Sequence, residues 1–523
     1  MFFSGDVMTR IYLLKVSNIL KSLLLFILFC TACTSTPYSK KVRIRIPSPT
    51  DFTTFDPRQA RDLLSINILR LMFVGLTHLS STGSIEYNLA KEIALSPDGL
   101  TYTIVLKNAF WSDESPITSE DFIYTWKTVL EKRRACPNAY SLFVIKNAQK
   151  IYQEQLPLEE IGLKALDEST FQIMLEQPCP FFLQLLSTPA FLALPRHFDK
   201  KVGLYDSNNP FPVSGPFSLH KLIAQTSVEL TKNPSFWNSD RITYQNLVFP
   251  ITDDETAIKM YEANELEWVG SPLGTMPIDS IPYFKQKQTL ETCPSAGTYF
   301  LRVNVTQPHL KDALLRRTLS HAIDREELCE HALQATQIPA SALSPPFLFK
   351  ATKALLPILP DLNKKLAITL SFSTNLERNV RVAQTIQQQF EKNLGIRVIL
   401  DPNDSKSLYA KIKNLDYELA LGSWFADYLD PHNFYSVFES ASNGTNNTGW
   451  ESTKFQEKLA QSLQELDTTK RNNLFQELEN ILAEEMPIIP IFHTNFIFCR
   501  EQSAREITLS PLGHFDIDYT QSG

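Results

Sequence analysis

After residue 33 the sequence has no apolar run long enough to span a bilayer, which excludes a polytopic membrane protein. Glycine is scarce, with 16 residues, whereas proline is plentiful, with 32. This balance argues against a flexible low-complexity chain and favours a turn-rich globular protein. No basic block follows the N-terminus and the net charge is -7, so nucleic acid is not an expected partner. A length of 523 residues favours two or three domains.

Signatures of catalysis and metal binding are also missing. The sequence has no H-E-x-x-H, no G-x-S-x-G and no phosphate loop, and its nine histidines form no ligand-spaced pair. The cysteines beyond residue 33 have neither zinc-site nor redox spacing. We expect most of them to be buried and unpaired, and a Cys136–Cys179 disulfide stays an alternative. These cysteines are Cys136, Cys179, Cys293, Cys329 and Cys499. The sequence therefore predicts that the protein is not an enzyme and that it binds neither a cofactor nor a metal.

The N-terminus has the pattern of an export signal. Residues 1–33 combine basic residues with a short apolar run at 23–29. The run ends at C-T-A-C, residues 30–33, where a small residue before a cysteine resembles the cleavage box of bacterial lipoproteins. Such boxes usually carry Leu where this sequence has Cys30. We expect residues 1–33 to be a lipoprotein signal peptide.

Cys33 is the predicted lipidation site, and residues 34–41 form a polar tether. Acyl chains on Cys33 would hold the protein on a membrane face without a transmembrane helix. We therefore expect a periplasmic protein that is lipid-anchored to a bacterial membrane. Translation could start at Met1 or at Met8.

Local patterns in the first half predict several elements. Apolar residues at 63–71 favour a helix, and Asp98-Gly99 favours a hairpin turn before a strand at 101–106. Thr118 is a good helix N-cap, and Asp121 completes a capping box. We read the tryptophans of this half, Trp111, Trp126 and Trp237, as core residues.

The segment W-S-D-E-S-P-I-T-S-E-D-F, residues 111–122, closely resembles a family signature. It is similar to W-S-D-G-T-P-x-T-A-x-D-F of the extracytoplasmic solute-binding proteins of peptide/nickel ABC importers, family 5. Further matches run along the chain: F-D-P at 55–57, F-V-G-L-T at 73–77, P-V-S-G-P-F at 212–217, K-N-P-S-F-W at 232–237, R-T-L-S-H-A-I-D-R at 317–325 and P-I-I-P at 487–490. Binders of peptides, nickel, haem and sugars share the signature, so it does not identify the ligand.

The second half has the pattern of a βαβ unit. A strand is predicted at 366–372, a helix that ends at Gly395, and a strand at 396–400. A further strand is predicted at 417–421. Ligands of open parallel sheets bind beyond the carboxyl ends of the strands. Residues 424–427 would lie just beyond the carboxyl end of the predicted strand at 417–421.

The segment S-W-F-A-D-Y-L-D-P, residues 423–431, places Asp427 among large rings and ends in a turn at Asp430-Pro431. By residue chemistry, Asp427 either caps a turn or binds a cation, and turn capping is the commoner role of such an aspartate. The resemblance favours the second role: Asp427 matches the acid that holds the peptide ammonium in the oligopeptide-binding branch.

The resemblance also implies the rest of the ligand site. Trp424, Phe425 and Tyr428 would line side-chain pockets, with Ser423 beside them. Asp51, Phe52 and Thr53 would form the wall of the first lobe.

Two departures from the family pattern bear on the ligand. Some oligopeptide binders have a disulfide where this chain has Phe425 and Gly297, so that bridge is not expected. Leu421 stands where some members place an arginine for the carboxylate of the peptide. The preferred peptide length is therefore left open.

The resemblance implies a two-lobed α/β periplasmic binding protein of the class II type, with an extra subdomain in the first lobe. The predicted boundaries are 42–62, 215–297 and 496–523 for lobe I, 63–214 for its subdomain and 298–495 for lobe II.

The predicted function is that of a substrate-binding lipoprotein of an ABC peptide importer. It would act as a monomer that captures short peptides and delivers them to a permease with separate ATPase subunits. The alternative cargoes are a murein peptide, a metal chelate or an oligosaccharide. An enzyme built on the same fold is the weakest alternative.

Overall fold

The computed structural model describes residues 43–202, 205–352, 366–442 and 444–517. The predicted signal peptide, the tether and Cys33 lie outside these residues. Among the helices of the described ranges, none is long and apolar enough to cross a membrane.

The described α-helices lie between residues 63 and 485. In chain order they are α1 (Leu63–Met72), α2 (Ser119–Val129), α3 (Ala148–Tyr152), α4 (Phe182–Leu185), α5 (Arg196–Lys201), α6 (Asp254–Glu262), α7 (Ile281–Gln286), α8 (Ala313–His321), α9 (Arg325–Glu327), α10 (Glu377–Leu394), α11 (Ser405–Lys413), α12 (His432–Tyr435), α13 (Thr453–Gln464) and α14 (Thr468–Glu485).

The strands form sheets that draw on distant parts of the chain. In chain order they are β1 (Arg43–Arg45), β2 (Thr77–Leu79), β3 (Ile85–Tyr87), β4 (Ala90–Leu95), β5 (Thr101–Leu106), β6 (Leu163–Ala165), β7 (Thr170–Met174), β8 (Phe217–Ile223), β9 (Ser227–Lys232), β10 (Asn246–Pro250), β11 (Trp268–Gly270), β12 (Leu290–Val303), β13 (Ile338–Pro339), β14 (Ala367–Ser373), β15 (Arg397–Asn403), β16 (Leu419–Phe425), β17 (Ile488–Arg500), β18 (Ile507–Leu509) and β19 (Phe515–Ile517).

The largest sheet has the strand order β11-β17-β12-β16-β14-β15, and β13 also pairs with β17. Two four-stranded sheets have the orders β1-β10-β9-β8 and β4-β5-β7-β6. The pairs β2-β3 and β18-β19 complete the arrangement. The predicted lobe boundaries stay a prediction, because sheet pairing does not by itself divide a chain into domains.

The local predictions of the first half are confirmed. Thr118 and Asp121 form the capping box of α2. The β4–β5 hairpin turns at Gly99, whose φ of +73° is unfavourable for residues with a Cβ. Trp111 and Trp126 are fully buried. Trp237 is only partly buried and packs against the same core, so its assignment as a core residue holds only in part.

The βαβ unit is also confirmed. Strands β14 and β15 are parallel and are joined by α10. The apolar face of α10 buries Val382, Ile386 and Phe390 completely against the sheet. Gly395 ends the helix in the left-handed conformation, with a φ of +66°.

The predicted C-terminal end of the strand at 417–421 is wrong. Strand β16 continues to Phe425, four residues beyond the predicted end, because it pairs antiparallel with β12 as far as Gly297 and Phe425. Trp424 and Phe425 are therefore strand residues, and the loop begins at Ala426.

The five cysteines beyond residue 33 are free, and all of them except Cys293 are buried. No Cys136–Cys179 disulfide is present.

Candidate functional site

A cavity of about 630 Å³ is lined by residues that are distant in the sequence. They come from 60–66, 138–190 and 424–445, with Leu512 and His514 from the C-terminal segment. Its walls thus combine the ranges predicted for the first and the second lobe. Its volume is typical of a site for a small organic ligand.

Buried contacts hold the loop after β16 in place. The backbone N–H of Ala426 donates to the carbonyl of Ala296 at 2.8 Å. Further on, the carboxylate of Asp430 accepts from Nη1 and Nη2 of Arg471 at 2.6 and 2.8 Å, and both side chains are buried. The loop is therefore fixed at its start by β12 and at its end by α14.

The turn-capping role falls to Asp430 and not to Asp427. The Asp430 carboxylate accepts from the backbone N–H of His432 at 2.9 Å. The backbone N–H of Asp427 donates to Oδ1 of Asn433 at 3.3 Å, and its own side chain remains accessible at the cavity wall.

The carboxyl group of Asp427 is accessible and yet poorly solvated. Burial among the surrounding residues raises its pKa above the ordinary value of an aspartate, and a hydrogen bond with Asn433 only partly opposes this. No ion pair connects it with a lysine, arginine or histidine of the described ranges. An incoming cation would therefore be its first charged partner.

The three predicted rings line the same cavity as Asp427. Trp424 donates from Nε1 to Oδ1 of Asn433 at 2.9 Å, which fixes the indole. Phe425 is 48% exposed. Tyr428 stacks on Phe181, with ring centroids 4.3 Å apart. The rings and the carboxylate thus form one surface, apolar with a single negative charge.

Four other residues predicted for the site do not belong to the described lining of this cavity. They are Ser423, Asp51, Phe52 and Thr53. Ser423 lies in β16 opposite Tyr299 of β12. Its role in ligand binding stays a prediction.

Residues 51–53 have their partners within the ranges predicted for lobe I. The Asp51 carboxylate accepts from the backbone N–H of Gln225 at 3.1 Å. Phe52 packs against Phe55, with centroids 4.2 Å apart, and Thr53 donates to the Asp62 carboxylate at 2.5 Å. These contacts stabilise the turn before α1, and a ligand contact of these residues also stays a prediction.

Three lining residues had no signal in the sequence analysis: Asn433, Tyr140 and Arg61. Asn433 joins Trp424 and Asp427 through one amide oxygen. Tyr140 is 54% exposed, and its pKa is raised by burial and by the charge of Asp427. The D-P-H-N run at 430–433 could have drawn attention to Asn433, whereas the other two are brought to the site only by the fold.

Metal-ligating side chains are not grouped in the described part of the chain. No three or more His, Cys, Asp or Glu side chains come together there in a way that could hold an ion.

Comparison with known proteins shows the family and the fold. The family model described as bacterial extracellular solute-binding proteins, family 5 middle, matches residues 84–446. The oligopeptide-binding protein OppA of Bacillus subtilis is 29% identical over 501 residues, which cover 90% of this chain and 91% of that protein.

Solved structures agree with this assignment. A periplasmic oligopeptide-binding protein of Borrelia burgdorferi is 27% identical, with a TM-score of 0.73 over 88% of this chain and 96% of that one. The murein tripeptide-binding protein MppA in an unliganded open form has a TM-score of 0.77 at 23% identity, over 91% of this chain and 95% of that one. The predicted two-lobed α/β fold of a periplasmic binding protein, with its extra subdomain, is thereby confirmed. The chain belongs to the bacterial extracellular solute-binding proteins of family 5.

Proposed function

We propose that this protein is the receptor of an ABC peptide importer and captures short peptides in the cavity that Asp427 lines. The observation that carries the proposal is the accessible, unpaired carboxylate of Asp427 between Trp424, Phe425 and Tyr428. A peptide offers an ammonium group for the acid and side chains for the rings. The names of the relatives, oligopeptide-binding and dipeptide-binding proteins, support the same cargo.

Delivery and anchoring complete the proposed role. The lipid on Cys33 would hold the receptor to a membrane on the periplasmic side. Closure of the lobes around the peptide would present them to a permease, with energy from separate ATPase subunits. No catalytic step is part of this role.

A murein peptide is the second candidate cargo. The likeness to a murein tripeptide-binding protein favours it, with 26% identity to the MppA of Escherichia coli over 473 residues. A metal chelate and an oligosaccharide are less favoured as cargo, because neither has a simple ammonium group that could form an ion pair with Asp427.

Native mass spectrometry of the protein purified from cells tests the cargo. We expect a mixed set of short peptides to remain bound. A single murein peptide would favour the second candidate, and a sugar or metal complex would contradict the peptide proposal.

A further inference from the structure

The cavity has one fixed charge of each sign. Among its described lining residues, Asp427 is the one carboxylate and Arg61 is the one lysine or arginine. Arg61 is exposed and lies between the turn Pro57–Gln59 and helix α1. Its guanidinium has no hydrogen bond or ion pair with another residue of the described ranges. It is therefore available to a carboxylate, which it can bind through two parallel hydrogen bonds.

The backbone on both sides of Arg61 is held in place. The Nδ2 of Asn138 donates to the carbonyl of Ala60 at 2.9 Å. The carboxylate of Asp62 caps α1 by accepting from the backbone N–H of Ser65 at 2.8 Å. Because the backbone is fixed, ligand binding would order only the side chain of Arg61, which limits the entropy cost.

The two charges do not neutralise each other. Asp427 and Arg61 form no ion pair, so the guanidinium nitrogens and the carboxylate oxygens lie more than 4.0 Å apart. The raised pKa of Asp427 agrees with this separation, because a guanidinium in contact would lower it. The two groups can therefore bind opposite ends of one ligand.

The second lobe offers no cation where the resemblance would place one. Leu421, at the position of the arginine that some members use for the peptide carboxylate, is a buried strand residue. Arg61 supplies a cation from a different part of the chain.

We propose that Arg61 binds the C-terminal carboxylate of the peptide whose ammonium Asp427 holds, so that the cavity selects short peptides with both termini free. This inference rests on the proposed function. It assigns the residue that recognises the second end of the peptide.

Calorimetry with a tripeptide and its C-terminal amide tests the proposal on the full chain. We expect amidation to weaken binding to the unchanged protein about tenfold. Arg61→Gln should bind the free acid about tenfold more weakly and should no longer distinguish acid from amide. Arg61→Lys, which keeps the charge but loses the bidentate geometry, should distinguish them partly.

Arg133→Gln is the matched control, because the Arg133 side chain is 79% exposed and lies outside the cavity. It should behave as the unchanged protein does. Equal binding of acid and amide by the unchanged protein, or full discrimination by Arg61→Gln, would overturn the role of Arg61. If the unchanged protein binds acid and amide equally but binds the N-acetylated peptide more weakly, the role of Arg61 fails and the peptide function stands. If no peptide binds, both proposals fail.

Discussion

Asn433 supports the residues that are proposed to contact the ligand. Its Oδ1 accepts from Nε1 of Trp424 and from the backbone N–H of Asp427, and its side chain partly offsets the raised pKa of the Asp427 carboxyl. One amide therefore fixes the orientation of the Trp424 ring and lowers the pKa of the Asp427 carboxyl.

Replacement of Asn433 by alanine should weaken peptide binding by about 1–2 kcal/mol, the scale of one hydrogen bond plus an unsatisfied partner. It should also raise the pKa of Asp427 further. Because the acid must be ionised to hold an ammonium, affinity should be lost at a higher pH on acidification than in the unchanged protein. Calorimetry at several pH values measures both effects.

Asn208→Ala, at an exposed position outside the cavity, is the control for this variant. An Asn433→Ala protein with unchanged affinity at every pH would show that the amide does not support the site.

The resemblance placed Asp427, Trp424, Phe425 and Tyr428 in the site, and all four line one cavity. It could not place Arg61, because that residue is more than 350 positions away in the sequence and meets the others only in the folded chain. Sequence reasoning of this kind finds residues that share a short segment and misses partners from distant segments.

At the scale of elements, helix α14 carries a buried acid behind the site. Glu479 accepts from the backbone N–H of Leu343 and from the hydroxyl of Tyr435, both at 2.9 Å. Tyr435 is the last residue of α12, the short helix that also contains Asn433. Burial raises the pKa of Glu479 to about 7.

This acid should make stability depend on pH. Its folded pKa of about 7 lies above its ordinary value of 4.5, so the folded state binds the proton more tightly than the unfolded state. The free energy of unfolding should therefore fall as the pH rises through this interval, by about 3 kcal/mol at 1.36 kcal/mol per pKa unit.

Glu479→Gln should remove that part of the pH dependence, and urea unfolding at about pH 5 and about pH 8 measures it. Glu477→Gln, on the same helix with a partly exposed side chain, should leave it unchanged. If the stability of Glu479→Gln falls between the two pH values as much as that of the unchanged protein, Glu479 is not the source of the pH dependence.

Elements with local signals were predictable, and elements set by distant pairing were not. The capping box of α2 and the end of α10 at Gly395 depend on neighbouring residues. The end of β16 depends on β12, more than a hundred residues earlier, and it was misplaced. The residues around the true end of β16, 424–428, line the cavity.

At the scale of the whole molecule, β12 and β17 are the longest strands of the large sheet. Their pairing is irregular between Pro294 and Thr298, next to the predicted boundary at residue 297. An irregularity of this kind bends the strand and increases its local twist. We propose that this position is the junction between the two predicted lobes.

Membrane attachment is proposed to depend on Cys33. Cys33→Ser should move the protein from the membrane to the soluble fraction and abolish acyl labelling, because the acyl chains are the proposed anchor. Cys30→Ser is the matched control and should stay with the membrane. Continued labelling and membrane association of Cys33→Ser would contradict the lipid anchor.

The most direct test of the central claim, that Asp427 holds the ammonium of a peptide, is calorimetry with one peptide in free and N-acetylated form. Asp427→Asn should weaken binding of the free peptide by about 1.5–3 kcal/mol, the range for a hydrogen bond to a charged group. Acetylation should weaken binding to the unchanged protein and make no difference to the variant. Unchanged affinity of Asp427→Asn, or equal binding of both peptides by the unchanged protein, would contradict the claim.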